Sequence, residues 1–301
     1  MTTPEFACVG SIIIDDIVYP DGRTDMAVLG GGGTHTAAGM VAMSVRPALL
    51  ACLGTDVPPE ITERLERDFD MRYANQLNMP QIRAWQVFEW NGRRTEIFRV
   101  DDYLRFLAEP TPDTIPTAMW DVPAVTVLRG ADEFLRFCDV FPNAEILWEP
   151  DQHFMIPENR EALVAALPRA AVVSPNLLEA GQVYGENDPA ALVRRMLADG
   201  ANVVALRLGE AGSLVGRRGV SDLIHIPVVP VQHIVDVTGA GNTYCGAFLV
   251  GWHQTHDLRT AGCYGAVAAS FTVEQVGVLD TSIIPDFQST RDARLAWALA
   301  Q

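Results

Sequence analysis

Short apolar runs alternate along this chain with segments of helical period. Phe6 to Asp16, FACVGSIIIDD, is an apolar run closed by two carboxylates, which predicts a buried strand whose carboxyl end meets a site. LGGGGTHTAAGMVAMS, from Leu29 to Ser44, predicts a glycine loop entering an alanine-rich helix. PALLACLGTD predicts a second buried strand, and PPEITERLERDF an amphipathic helix with proline at its start. Between Arg83 and Val100, two β-rich runs flank Asn91-Gly92, a dipeptide that favours the tight type I′ turn of a hairpin. From about Val122 strand and helix alternate again: AVTVLRG, DEFLRFCDVF, EILWEPD, ENREALVAAL, AAVVSPNLLEAGQVYG and ALVRRMLADG. NVVALRLGEAGSLVG is then a strand, a turn and a strand, and helices are predicted after Asn242, near Thr260–Val273 and near Thr290–Ala300. Such alternation implies an α/β fold, a mostly parallel sheet between helices with a small β-hairpin lid. Ligands of such sheets bind at the carboxyl ends of the strands.

Composition adds exclusions. At 301 residues and 49% hydrophobic content the chain suffices for one large domain. A net charge of -16 argues against a nucleic-acid partner, because phosphate backbones are held by clustered Lys and Arg. No run reaches the ~18 apolar residues of a membrane span, and the five widely spaced cysteines read as reduced thiols of a cytoplasmic protein.

The stretch DVTGAGNTYCGAF, Asp236 to Phe248, is the strongest candidate for chemistry. Gly239 and Gly241 free the backbone ahead of a helix whose first N–H groups lack intrahelical partners, and such a terminus binds anions. The same residues also suit a plain turn with Asn242 as helix N-cap. Asn176 and Glu179 share one side of a first helical turn, where they either orient a hydrated Mg²⁺ or form a capping box. Leu208 to Gly212, LGEAG, is a two-glycine turn placed for a nucleotide or for a simple hairpin. Asp15 and Asp16 suit polyol hydroxyls or a cap. There is no GxxxxGK[ST], HExxH or GxSxG motif, and the glycines at 30–33 are not a dinucleotide fingerprint.

Asp15, the double glycine Gly30–Gly31, GTD at 54–56, the hairpin, Asn176-x-x-Glu179, LGEAG and DVTGAGN occur in an order that resembles the PfkB family of carbohydrate kinases, with its ribokinase-like fold, over essentially the whole chain. The resemblance implies one domain over residues 1–301, with a lid from about 12–30 and 83–107. It implies ATP, Mg²⁺ and phosphoryl transfer to a hydroxyl of a sugar, nucleoside or other small polyol. By resemblance Gly239, Ala240 and Gly241 form the anion hole. Asn176, Glu179, Leu208, Gly209, Gly212 and Thr238 serve the nucleotide, with Glu179 reaching Mg²⁺ through water. Asp15, Gly30, Gly31, Gly33, His35 and Asn242 face the acceptor. A monovalent cation, K⁺, falls to Asp236, Thr238, Gly277 and Thr281. A homodimer through the lid, using Trp85, Val87 and Trp90, is a further implied partner.

The sequence departs from the family pattern at its centre. The family's base is the last residue of GAGD, and here it is Asn242, which orients a hydroxyl but takes no proton. General-base help is worth ~10²–10⁴ in rate, whereas loose phosphoryl-transfer transition states depend mostly on positioning. The alternative is a weak or inactive pseudokinase that binds nucleotide or acts as a scaffold. His35 replaces the asparagine usual in the glycine segment, and Ile13 a frequent polar residue. The GAGN variant resembles a divergent branch that includes fungal killer-maintenance proteins.

Overall fold

Phe6 and Cys8 of β1 (Phe6–Val9) enter one hydrophobic cluster, and Ala7 and Val9 enter another. The same split recurs in β12 (Val203–Arg207), with Val203 and Ala205 on one side and Val204 and Leu206 on the other. This is the period of two of a strand buried on both faces, and it explains the unbroken apolar runs. The computed structural model of the chain describes residues 3–90 and 94–301.

Among the described residues, β1 and β12 join β4 (Ala48–Leu50), β9 (Ala124–Arg129), β10 (Glu145–Pro150), β11 (Val172–Val173), β13 (Ser213–Arg217) and β14 (Ile224–Ile226) in one sheet, ordered β14-β13-β12-β11-β10-β9-β1-β4. Pairing is parallel from β4 to β12 and antiparallel across β13 and β14. One face packs against α1 (Gly32–Ala42), α2 (Pro59–Asp68), α8 (Ala240–Thr255) and α9 (Leu258–Thr272), with Ala298 of α10 (Phe287–Leu299). The other is covered by α4 (Ala131–Val140), α5 (Arg160–Ala166), α6 (Leu177–Tyr184) and α7 (Pro189–Ala198).

A second sheet has the order β3-β2-β7-β8, built from β2 (Ile13–Val18), β3 (Thr24–Gly30), β7 (Arg83–Phe88) and β8 (Arg94–Phe98), with α3 (Asp102–Leu107) following. β5 (Cys52–Leu53) and β6 (Asn75–Gln76) form a small parallel pair. β7 and β8 pair antiparallel, as a hairpin requires, while the Asn91-Gly92 turn itself lies outside the described residues.

Two strand expectations fail, the first at Pro47 to Asp56, which divides into β4 of the large sheet and β5 of the small pair. Phe6 to Asp16 is not a single strand: it breaks at Gly10–Ile12, and β2 belongs to the second sheet. Asp15 and Asp16 therefore sit inside a strand of the smaller sheet rather than at the end of a core strand. A continuously apolar run carries no phase, so its break leaves no mark in the hydrophobic pattern.

The closest helix contact sets the site. A Cβ on Gly39 of α1 would lie 2.0 Å from the Thr243 carbonyl oxygen, and one on Gly246 of α8 would lie 1.8 Å from that of Thr36. The two helices touch backbone to backbone. Their N-terminal turns, one after the Gly30–Gly33 run and one after Gly239, are held side by side.

Candidate active site

Gly239 is the N-cap of α8, with φ 75, a left-handed conformation that favours glycine. Asn242 is thus the third residue of the helix and not its cap. Ala240 N–H reaches the Val237 carbonyl at 3.3 Å, a long turn bond, so the anion site expected here rests chiefly on Gly239 and Gly241. A Cβ on Gly239 would lie 2.0 Å from His35 Nδ1, and one on Gly241 would lie 2.2 Å from Arg207 Nη1. Each glycine admits a ring or guanidinium that a larger residue would displace.

Behind this turn lies a polar chain that the motifs did not indicate. Asn242 Nδ2 donates to Glu149 Oε2 at 3.0 Å. Glu149 Oε1 is 2.7 Å from Arg207 Nη1, and Arg207 Nη2 donates to the Ser174 carbonyl at 2.9 Å. Glu179 Oε2 stands 4.0 Å from Arg207 Nη2. Glu149 is 6% exposed at the end of β10. Burial works against the charge on Arg207, but the Glu149 and Glu179 carboxylates and the bond to Glu149 act with the other neighbours to outweigh it, so its pKa lies above the ordinary guanidinium value. Glu149 and Arg207 were legible only as carboxylate and cation at the ends of predicted strands, without a motif to single them out.

Asn176 and Glu179 make the capping box. Asn176 Oδ1 accepts from Glu179 N–H at 2.8 Å, and Glu179 Oε2 accepts from Asn176 N–H at 3.0 Å. Both nevertheless line the cavity. Burial raises the pKa of Glu179 above the ordinary value, with Arg207 opposing. Among the described residues no group of three or more His, Cys, Asp or Glu side chains forms a metal cage. A single carboxylate suits Mg²⁺, which keeps most of its water.

One cavity of about 1310 Å³ joins these parts. Its wall includes Asp15, Gly31, Gly32, His35, Asn176, Glu179, Gly209, Gly212 and Thr238 to Asn242. Gly30, Gly33, Leu208, Asp236, Gly277 and Thr281 are not in that wall. Gly30 seats the Asp15 carboxylate, because a Cβ there would lie 1.8 Å from Asp15 Oδ2, and Gly33 lies against Gly10. Leu208 packs against a core cluster. Asp236 Oδ1 accepts from Thr238 N–H at 2.8 Å. His35 lies within α1 rather than in a loop, 3% exposed, with Nδ1 unpartnered among the described residues. Burial lowers its pKa to about 3, so it is neutral near pH 7.

Comparison with known proteins fits this geometry. Residues 150–285 match the pattern described as pfkB family carbohydrate kinase. The chain has the ribokinase-like fold, and its C-terminal half carries the pfkB pattern. An uncharacterized protein of Schizosaccharomyces pombe is 24% identical over 91% of this chain and 85% of its own length. Protein MAK32 of Saccharomyces cerevisiae is 23% identical over 89% and 84%, in line with the fungal branch. A nucleoside kinase structure from Methanocaldococcus jannaschii aligns with TM-score 0.76 at 20% identity, over 98% of this chain and 100% of that one. A ribokinase II candidate from E. coli, in complex with ATP and Mg²⁺, aligns with TM-score 0.78 at 17% identity, over 98% and 99%.

At the other end of the cavity, the chain places a carboxylate and amide row on the second sheet. Gln86 Nε2 donates to Asp15 Oδ1 at 2.9 Å and to Glu96 Oε1 at 2.8 Å. Asp16, on the opposite side of β2, pairs with Arg99 and accepts from Ala27 N–H at 3.0 Å, a structural role. Gln86 and Glu96 were missed because their placing exists only in the folded sheet, where Gln86 pairs with Ile17, diagonal to Asp15, and Glu96 pairs with Gln86. Trp90 is 80% exposed, while Trp85 is half-buried under Arg99. Among the described residues no helix is long and apolar enough to cross a membrane, and all five cysteines are buried free thiols.

Burial raises the pKa of Asp15 to about 6 from an ordinary 3.8, with the Gln86 hydrogen bond opposing. A carboxyl whose folded pKa lies above its unfolded value stabilises the fold while protonated. That contribution is present below the unfolded value and is lost as pH rises through about 6. Asp15→Asn should therefore raise the melting temperature relative to wild type at pH 8 and give no gain at pH 4. Equal shifts at both pH values in thermal melts would contradict this.

Proposed function

We propose that the chain is an ATP- and Mg²⁺-dependent kinase that phosphorylates a hydroxyl of a sugar, nucleoside or other small polyol. The observation that carries this reading is the shared cavity: the N-terminal turn of α8, the Asn176–Glu179 pair and the Asp15–Gln86–Glu96 row all border it. The N-terminal turn holds the transferring phosphoryl group and stabilises its charge. Bound Mg²⁺ would neutralise phosphate charge, and Glu179 is the residue to hold its water. Asp15 and Gln86 accept and donate to hydroxyls of the acceptor. The sheet of β2, β3, β7 and β8 serves as the lid that excludes water. Asn242, tethered through Nδ2 to Glu149, borders the place of the attacking hydroxyl. The relative named as a nucleoside kinase and the ATP–Mg²⁺ complex of a structural neighbour support the reading.

The alternative, a pseudokinase, is favoured by Asn242 itself, which has no titratable oxygen. Phosphate transfer from labelled ATP to pooled sugars, nucleosides and polyols separates the two. Transfer is expected, and the labelled product names the acceptor. Mg²⁺–ATP binding without transfer to any member of the pool would establish the pseudokinase instead.

A further inference from the structure

We propose that Glu149 supplies the carboxylate that position 242 lacks and takes the proton of the acceptor hydroxyl. This rests on the kinase reading above and deepens it.

Glu149 Oε2 is 3.0 Å from Asn242 Nδ2, so a carboxylate oxygen stands one hydrogen bond from the side chain where the proton must be received. Glu149 also lines the cavity. Its position is fixed at both oxygens, by Asn242 on one and by Arg207, 2.7 Å away, on the other. Arg207 is itself anchored on the Ser174 carbonyl at 2.9 Å. Oε2 keeps a second acceptor site, since a carboxylate oxygen has more than one lone-pair direction.

The same geometry explains the asparagine. An aspartate at 242 would set two carboxylates within hydrogen-bond distance, with one guanidinium to balance them, and like charges at that range oppose joint ionisation. An amide donates instead. Asn242 and the Glu149–Arg207 pair are thus parts of one arrangement rather than damage to another. The remaining charged or titratable groups around Glu149 are consistent with it. Glu179 lies beyond Arg207. Burial pushes the Cys245 thiol above its ordinary value and the Cys8 thiol up to about 12, so both are neutral near pH 7.

The step balances. The acceptor oxygen forms a bond to the γ-phosphorus as its proton passes to Glu149 Oε2. The bond from the γ-phosphorus to the β,γ-bridging oxygen breaks, and its electron pair leaves with ADP. Glu149 then returns the proton to solvent.

The test moves the carboxylate. Glu149→Gln should lower kcat at least about 100-fold, within the ~10²–10⁴ range of general-base effects, with Mg²⁺–ATP affinity held within about threefold. In the swap, Glu149→Gln with Asn242→Asp, kcat should recover at least about tenfold over Glu149→Gln alone. Wild-type kcat in Glu149→Gln overturns the proposal. So does a swap as slow as the single variant, since that result means that Glu149 only holds Arg207. If Glu149→Gln does not fold, Glu149→Asp decides: it keeps the charge beside Arg207 but withdraws the oxygen by one carbon–carbon bond. A kcat at least about tenfold lower supports the proposal, and an unchanged kcat overturns it. A wild type that binds Mg²⁺–ATP and transfers to no acceptor overturns the kinase reading and this inference together. Transfer by wild type with an indifferent position 149 overturns this inference alone.

Discussion

Arg207→Met should lower the melting temperature by on the order of 10 °C at neutral pH. Arg207 lies 2.7 Å from Glu149 and 4.0 Å from Glu179, and Glu149 is 6% exposed. Methionine fills the space of the chain stem but leaves two carboxylates near each other without their cation. Breaking a buried pair at one partner costs about 3–5 kcal/mol, mostly because the surviving charge is uncompensated. The cause is separable from lost packing. In Arg207→Met with Glu149→Gln the orphan charge is gone, so the double variant should melt well above the single one. A single variant within about 2 °C of wild type would show that Arg207 does not stabilise this site. A double variant no better than the single one would assign the loss to packing.

Gly239→Ala should reduce phosphoryl transfer at least about 100-fold while leaving the protein folded. The residue sits at φ 75, and its Cβ would fall 2.0 Å from His35 Nδ1. An alanine there costs about 1–3 kcal/mol of backbone strain, and either the loop or the imidazole must move. The imidazole has little room, because α1 and α8 are in backbone contact at Gly39 and Gly246. Displacing the loop moves the N–H groups of the anion site away from where charge develops, and loss of one such donor typically costs ~10²–10³ in rate. His35→Ala combined with Gly239→Ala removes the collision and should recover part of the rate. Turnover and circular dichroism of both variants check this. Wild-type turnover in Gly239→Ala would mean that the loop is not the phosphoryl site.

The sequence by itself determined the layered α/β fold, through runs that were apolar throughout and helices that were apolar on one side. The glycine turn ahead of α8, the capping pair at Asn176 and Glu179, and the absence of a carboxylate at 242 were equally legible, because each is a local pattern of residue types at fixed spacing. Tertiary structure decided the rest. That Phe6 to Asp16 divides between two sheets was invisible, since an apolar run does not record which sheet its residues join. That Asp15 rather than Asp16 faces the cavity follows from strand register, which neighbouring identical residues cannot signal. His35 met Gly239 only through the crossing of α1 and α8. Glu149 met Asn242 across 93 residues of chain, and Arg207 met Glu149 across the one strand that lies between theirs. Local propensity fixes which residues carry chemical groups, but a site of paired charges is a set of distances, and those come from packing alone.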